Sequence, residues 1–109
     1  MKTNDAIEQL AALAQENRLA LFKELVKHHH PEPAQAGIAA GELARTLDIP
    51  APTLSFHLKE LSRAGLIQSD KQGRHVIYRA DLTAMSSLIA FLLEDCCGGA
   101  CNMIQKEAS

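Results

Sequence analysis

The most reactive side chains of the sequence are three cysteines that stand close together. Cys96, Cys97 and Cys101 are the only cysteines among the 109 residues, and they span six positions near the end of the sequence. An odd number of cysteines, two of them adjacent, is a poor framework for disulfide bonds. Because thiolates are ligands for soft metals, this spacing predicts a set of thiolate ligands.

A second group of side chains, in the middle of the sequence, has the chemistry to bind nucleic acid. Hydroxyl groups hydrogen-bond base edges or phosphates, an exposed phenyl ring can contact a thymine methyl group, and each lysine or arginine can neutralise a phosphate. The candidate DNA-binding residues of these types are Thr53, Ser55, Phe56, Lys59, Lys71 and Arg74, with His75 beside them.

The distribution of charge favours a nucleic-acid partner, although the net charge of the whole chain is −2. Residues 40–80 carry six bases and four acids, hence a net charge of +2, whereas the remainder carries five bases and nine acids, hence −4. The middle of the chain is therefore its basic part. A composition of 47% hydrophobic and 22% charged residues is typical of a single globular domain.

No segment of the sequence is suited to a membrane. The longest purely apolar run, residues 88–93, is six residues long, whereas roughly 20 are needed to cross a bilayer. Residues 1–5 are followed by no apolar stretch of the signal-peptide type. We therefore expect a cytoplasmic protein without a membrane partner.

Hydrophobic periodicity predicts two helices before the basic region. Apolar residues at three- and four-residue spacing indicate a first helix over residues 4–15. A second helix is expected from Asn17, a good cap residue, to about residue 28, with Leu19, Phe22, Leu25 and Val26 on its buried side. Prolines then end it, and residues 28–36 are predicted to form an exposed connection.

Two further helices joined by a tight turn are predicted next, and they form a helix-turn-helix. The first covers residues 41–47, residues 48–50 break it, and the second covers residues 51–64 with Leu54, Leu58 and Leu61 buried. With these leucines inside, Thr53, Ser55, Phe56 and Lys59 face outward, where the helix could enter the major groove of DNA.

The remaining pattern predicts a β-hairpin and a last helix. After Gly65 the period changes to two, with strands around a basic tip at residues 71–74. The last helix is expected from Asp81, as its cap, to about residue 95. The order of four helices, a hairpin and a fifth helix predicts a mainly α fold with a β-hairpin, the winged helix-turn-helix.

In its motifs the chain resembles the ArsR/SmtB family of metalloregulatory repressors. The motifs are Arg18-Leu19-Ala20-Leu21-Phe22, Ser55-x-His57-Leu58 followed by Leu61 and Ala64-Gly65-Leu66, and Gly73-Arg74 with Tyr78. The resemblance implies DNA contacts from Ser55, Phe56, His57 and Lys59. For His57, a half-buried position against the hairpin is an equal alternative. One departure is Asp48, where relatives commonly have glycine, and aspartate tolerates the left-handed conformation better than most residues.

The cysteine pattern is similar to that of arsenic-responsive members, which carry a carboxyl-terminal Cys-Cys pair plus one further cysteine. Other sites of the family lack their residues here, because no histidine follows Asp81 at the start of the last helix and no cysteine lies near Glu42. Trivalent arsenic prefers three sulfurs in a pyramid, whereas tetrahedral zinc would remain one ligand short. The resemblance therefore implies As(III), Sb(III) or a methylated trivalent arsenical as inducer, bound by Cys96, Cys97 and Cys101.

These observations together predict a homodimeric repressor that binds double-stranded operator DNA and is released by As(III) or Sb(III). Residues 1–95 are expected to form the DNA-binding and dimerisation domain, and residues 96–109 the cysteine-containing tail. Dimer contacts are expected on the first and last helices, because both carry apolar residues beyond those that one core needs. The candidates are Ile7, Leu10, Met85, Ile89 and Leu92.

Two alternatives share this fold, and one class of protein is disfavoured. Zinc or cadmium would need a fourth ligand, and a thiol redox sensor would pair Cys101 with Cys96 or Cys97 on oxidation. An enzyme is not expected, because the sequence offers no activated nucleophile with a paired base and no cofactor loop.

Overall fold

The computed structural model describes residues 1–96, except for the side chain of Pro33. The elements are α1 (Thr3–Leu13), α2 (Glu16–Lys27), a short 3-10 helix (Pro33–Gln35), β1 (Ile38–Ala39), α3 (Ala40–Leu47), α4 (Ala51–Arg63), β2 (Ile67–Gln72), β3 (His75–Ala80) and α5 (Leu82–Leu92). Helices α3 and α4 form the helix-turn-helix, and β2 with β3 forms the wing. The predicted winged helix-turn-helix is therefore confirmed.

The sheet has a third strand that the sequence pattern did not predict. Its order is β1-β3-β2 with antiparallel pairing, and β1 joins the wing through Ile38 opposite Tyr78 and Ala39 opposite Ile77. Two residues are too few to show a period of two, so residues 38–39, which lie between the predicted connection and the predicted third helix, were assigned to no element. Gly37, with φ of 102°, leads the chain into this pairing.

Helix α2 begins one residue before the predicted cap, Asn17. Its buried face also differs from the predicted one. The side chain of Gln15, not Asn17, accepts a hydrogen bond from the backbone N–H of Arg18 at 3.0 Å. Leu21 is fully buried beside Phe22 and Leu25, whereas Leu19 and Val26 are exposed, so their predicted burial was wrong.

Two left-handed residues end the helices of the helix-turn-helix. Asp48, with φ of 54° and ψ of 48°, follows α3, and the Ile49 N–H reaches back to the Ala44 carbonyl at 3.1 Å. Gly65, with φ of 80°, follows α4, and the Leu66 N–H reaches back to the Leu61 carbonyl at 3.1 Å. Both are Schellman-type ends. The Asp48 turn fixes where the chain leaves α3 toward α4, and the Gly65 turn fixes where it leaves α4 toward β2.

A single core holds α4 against the rest of the fold. Leu54, Leu58 and Leu61 of α4 are buried as predicted, and they pack with apolar residues of α2, α3 and the sheet. Because that face is fixed inward, the opposite face of α4 is fixed toward solvent.

Helix α5 is capped as predicted but ends earlier. The Asp81 carboxylate accepts a hydrogen bond from the Ala84 N–H at 2.9 Å, which satisfies one of the first-turn donors. The helix ends at Leu92 and not near residue 95. The backbone N–H of Cys96 then bonds the Leu93 carbonyl at 2.9 Å.

Candidate nucleic-acid interface

The outer face of α4 presents the side chains that the sequence predicted. Thr53, Ser55, Phe56 and Lys59 are all exposed, and Phe56 exposes 53% of its surface. The exposed Phe56 ring is an apolar surface on the second helix of the helix-turn-helix. It is available for contact with the methyl group of a base. The four candidates therefore lie on one accessible surface, which we call the α4 face.

His57 is placed differently from its neighbours, and its assignment as a DNA-contacting residue is corrected. Only 5% of its surface is exposed. Because it follows Phe56 by one position, its side chain turns from the outer face of α4 toward the core, where a phosphate cannot reach it. The alternative of a packed histidine is the one that the structure supports.

Arg18 of α2 joins His57 to Phe56, a contact that the sequence reading missed. Its Nε donates a hydrogen bond to Nδ1 of His57 at 3.2 Å, and its Cζ lies 5.6 Å from the centroid of the Phe56 ring. The rings of Phe56 and His57 meet edge to face, with centroids 5.7 Å apart. We call these three residues the Arg18 cluster. Arg18 belongs to the family motif of residues 18–22, but a contact between residues 39 positions apart leaves no periodic signal in the sequence.

The electrostatics of the cluster keep the His57 ring neutral. Burial lowers the pKa of His57 below its ordinary value of 6.5, and the nearby positive charge of Arg18 lowers it further. Since Nδ1 accepts the bond from Arg18, the proton of the neutral ring lies on Nε2. A second proton on Nδ1 would remove the acceptor and place two positive groups together.

The wing presents a basic tip at the turn between β2 and β3. Gln72 pairs with His75 across the hairpin, so Gly73 and Arg74 form a two-residue turn, and Gly73 has φ of 62°. Lys71, Arg74 and His75 are exposed there. At the base of the wing, Arg79 forms an ion pair with Asp70 across the two strands.

Of the predicted thiol ligands, the structure describes Cys96. It is partly buried, four positions after the end of α5, whereas Cys97 and Cys101 lie outside the described residues. Within residues 1–96, no three His, Cys, Asp or Glu side chains are grouped to hold a metal ion. In the histidine run before β1, His28 and His29 are exposed, and Nε2 of His28 lies 3.2 Å from a Glu24 carboxylate oxygen.

The residues predicted for dimerisation differ in exposure. Ile7 and Leu92 expose 57% and 55% of their surfaces, and Leu10 is also exposed, as is Leu93. Met85 and Ile89 are half-buried, and Met85 packs against the core of the same chain. Helices α1 and α5 contact each other, so their exposed apolar residues belong to one pair of packed helices. None of the helices among residues 1–96 is both long and apolar enough to span a bilayer.

Comparison with known proteins places the chain among transcriptional regulators. A helix-turn-helix domain family matches residues 13–69. The HTH-type transcriptional regulator YbzH of Bacillus subtilis is 30% identical over 95 residues, which cover 81% of this chain and 95% of that protein. The transcriptional activator HlyU of Vibrio cholerae is 30% identical over 87 residues, 80% of this chain and 73% of HlyU.

Two further likenesses connect the chain to one family of regulators. The HTH-type transcriptional repressor SmtB of Mycobacterium tuberculosis is 35% identical over 72 residues, which cover 66% of this chain but 47% of SmtB. The solved structure of an ArsR-like transcriptional regulator from a Rhodococcus species matches with a TM-score of 0.69 and 30% identity, covering 84% of this chain and 77% of that one. All of these relatives are regulators and not enzymes. The chain belongs to the helix-turn-helix transcriptional regulators of the ArsR/SmtB family.

Proposed function

We propose that the chain is a transcriptional repressor that binds operator DNA as a homodimer and releases it when trivalent arsenic or antimony binds Cys96, Cys97 and Cys101. The observation that carries the DNA-binding part is the α4 face, with its exposed hydroxyls and phenyl ring, together with the exposed basic tip of the wing. Helix α4 reads the major groove through Thr53, Ser55 and Phe56. Lys59, Lys71 and Arg74 bind phosphates.

Dimerisation through α1 and α5 is supported by the apolar residues that these helices leave in water. Ile7, Leu10 and Leu92 lie on them and are exposed, and an exposed apolar patch on paired helices is typical of a protein interface. A two-fold dimer would place two α4 helices about 34 Å apart, one turn of DNA, so that each reads one half of a symmetric operator.

The arsenic-binding part of the proposal is supported by the chemistry of the three thiols. Three sulfurs satisfy a soft pyramidal ion, whereas zinc would need a fourth ligand, and the thiols lose their protons when they bind it. Cys96 follows closely on α5, which is also a proposed dimer helix. Drawing the cysteines together would therefore shift α5 and change the relative tilt of the two α4 helices. The solved structure of a possible transcriptional regulator for arsenical resistance is similar to this chain, with 27% identity and a TM-score of 0.64, covering 78% of this chain and 80% of that one.

Release of labelled DNA tests the proposal. A fluorescein-labelled duplex, selected from a random-sequence pool by the wild-type chain under reducing conditions, serves as the probe and is called the selected duplex. We expect arsenite to weaken its binding at least about tenfold, a normal allosteric coupling, and excess small dithiol to restore it. The variants C96S, C97S and C101S should each lose the response to arsenite while binding DNA as the parent does.

Other inducers distinguish the alternatives in the same assay. Release by cadmium or zinc but not by arsenite would replace the proposed inducer. Release by peroxide, reversed by a thiol reductant, would make the chain a redox sensor. A methylated trivalent arsenical offers only two positions for sulfur, so one of the three serine variants should keep its response to that compound. The direction of control is read from a reporter gene behind the selected duplex, where arsenite should raise expression.

A further inference from the structure

We propose that Arg18, on α2 and outside the helix-turn-helix, is a positioning residue that fixes the Phe56 ring for its contact with DNA. This inference rests on the DNA-binding function proposed above and deepens it. The α4 face then depends on a residue from a different helix, and Phe56 reads a thymine methyl group only while Arg18 holds it.

The guanidinium of Arg18 is itself held in place. Its Nε bonds Nδ1 of His57 at 3.2 Å. Because Nε lies in the plane of the guanidinium, this bond restricts the orientation of the whole plane. His57 is 5% exposed and cannot turn aside without leaving the core. The acceptor is therefore a fixed anchor.

Without contacts from Arg18 and His57, the Phe56 ring would be poorly ordered. More than half of the surface of Phe56 is exposed to water, and an exposed side chain moves among its rotamers. The Arg18 Cζ at 5.6 Å from the ring centroid is within the range of a cation–π contact. The His57 ring meets the Phe56 ring edge to face on another side. These two contacts, from Arg18 and His57, hold the Phe56 ring in one orientation before DNA binds.

The test uses uracil, which is thymine without its methyl group. Binding is measured for the selected duplex and for a copy in which every thymine is replaced by uracil. For the wild-type chain we expect the uracil copy to bind about fourfold more weakly, the effect of one buried methyl group. The variant R18M keeps an unbranched, flexible side chain of similar helix propensity but has neither the donor nor the charge. Its ratio of the two affinities should approach one, as in F56A.

Matched variants separate positioning from a general loss of stability. Arg63 is also an arginine, on α4, and its contact is Glu60 at 3.5 Å. We expect R63M to keep the wild-type ratio. In an F56A background, R18M should leave the ratio unchanged, because the residue through which it acts is gone. If R18M proves unfolded, R18K replaces it. A single ammonium cannot both bond His57 and cover the ring, so its ratio should fall as well.

The outcomes distinguish the inference from the function on which it rests. A folded R18M or R18K variant with the wild-type ratio would overturn the positioning role and leave DNA binding intact. Equal binding of the thymine and uracil duplexes by the wild-type chain would overturn it too. Failure of the wild-type chain to enrich any duplex from the pool would instead refute the proposed function.

Discussion

At the scale of single residues, His57 shows how a buried side chain can serve a surface that it does not reach. The sequence pattern Ser55-x-His57 leaves it equally suited to a phosphate contact and to packing, and periodicity cannot decide between them because the position borders the apolar stripe of α4. The structure buries the ring and gives its Nδ1 the Arg18 donor. Because the ring is neutral, Nδ1 can accept the hydrogen bond from Arg18, whose guanidinium lies over the Phe56 ring.

Acidification should destabilise the fold through this ring. The unfolded chain binds a proton at His57 near its ordinary pKa of 6.5, whereas burial and Arg18 lower the pKa in the folded chain. The free energy of unfolding should therefore fall as the pH drops below 6.5, until the folded ring is protonated as well. Urea titrations at a series of pH values measure this.

The variant H57N isolates the effect, because asparagine places an acceptor oxygen near the position of Nδ1 but does not titrate. We expect a weaker pH dependence in H57N than in the parent. The exposed residue His29 provides the matched control H29N, which should keep the parent's pH dependence. Identical pH profiles for H57N and the parent would contradict this account.

At the scale of elements, the connection before β1 approaches the wing closely. A Cβ atom on Gly37 would lie 2.7 Å from the Ile77 Cγ2 atom and 2.7 Å from the Tyr78 carbonyl oxygen, and the φ of 102° disfavours any other residue. We expect G37A to lower the free energy of unfolding by about 2 kcal/mol or more. Thermal and urea unfolding check this.

The same substitution at Gly41 is the matched control for the close approach. Gly41 lies in the first turn of α3, and a Cβ atom there meets nothing within 4 Å. Because alanine is the better helix former, G41A should raise stability by about 0.5 kcal/mol. A G37A variant as stable as G41A would mean that the connection is not tightly packed on the wing.

The two basic side chains at the wing tip should determine part of the salt dependence of DNA binding. Each phosphate contact contributes about 0.9 to the slope of log K against log salt concentration. We expect the double variant K71Q/R74Q to reduce that slope by about 1.8. The control K23Q removes an exposed charge from α2 and should leave the slope unchanged. An unchanged slope in the double variant would remove the wing from the interface.

Most elements were predictable because their signals are local, whereas the misses have both local and long-range reasons. The buried leucines of α4 and the Asp81 cap can each be recognised from residues within one or two helical turns. The cap of α2 was misplaced because the side chain of Gln15 accepts the hydrogen bond that asparagine or serine usually accepts. On the same helix the structure buries Leu21 and leaves Leu19 exposed. The Arg18 cluster needs α2 and α4 to meet, which only the packed fold determines.

At the scale of the whole molecule, the proposed dimer uses the exposed apolar residues of α1 and α5. We expect L10E to make the protein monomeric without unfolding it, because a charge would be buried at the interface but not within one chain. Analytical ultracentrifugation measures the oligomeric state, and circular dichroism checks the fold.

The control for the dimer prediction lies on another surface. Leu19 of α2 is about as exposed as Leu10, but it stands outside the proposed interface. L19E should remain dimeric and should bind the selected duplex as the parent does. L10E should bind it more weakly, because each monomer reads only one half-site. A dimeric L10E variant would mean that the subunits pair elsewhere.

Strand β2 lies at one edge of the three-stranded sheet. An exposed edge strand affects the tendency of a protein to associate in concentrated solution. Five of its six residues are exposed, and they include Asp70 and Lys71. An open strand edge is a template on which another chain can add a strand, and a polar, charged strand discourages such growth. Replacing these two charges with valine would therefore be expected to make the protein precipitate, by edge-to-edge association, at a lower concentration than the parent.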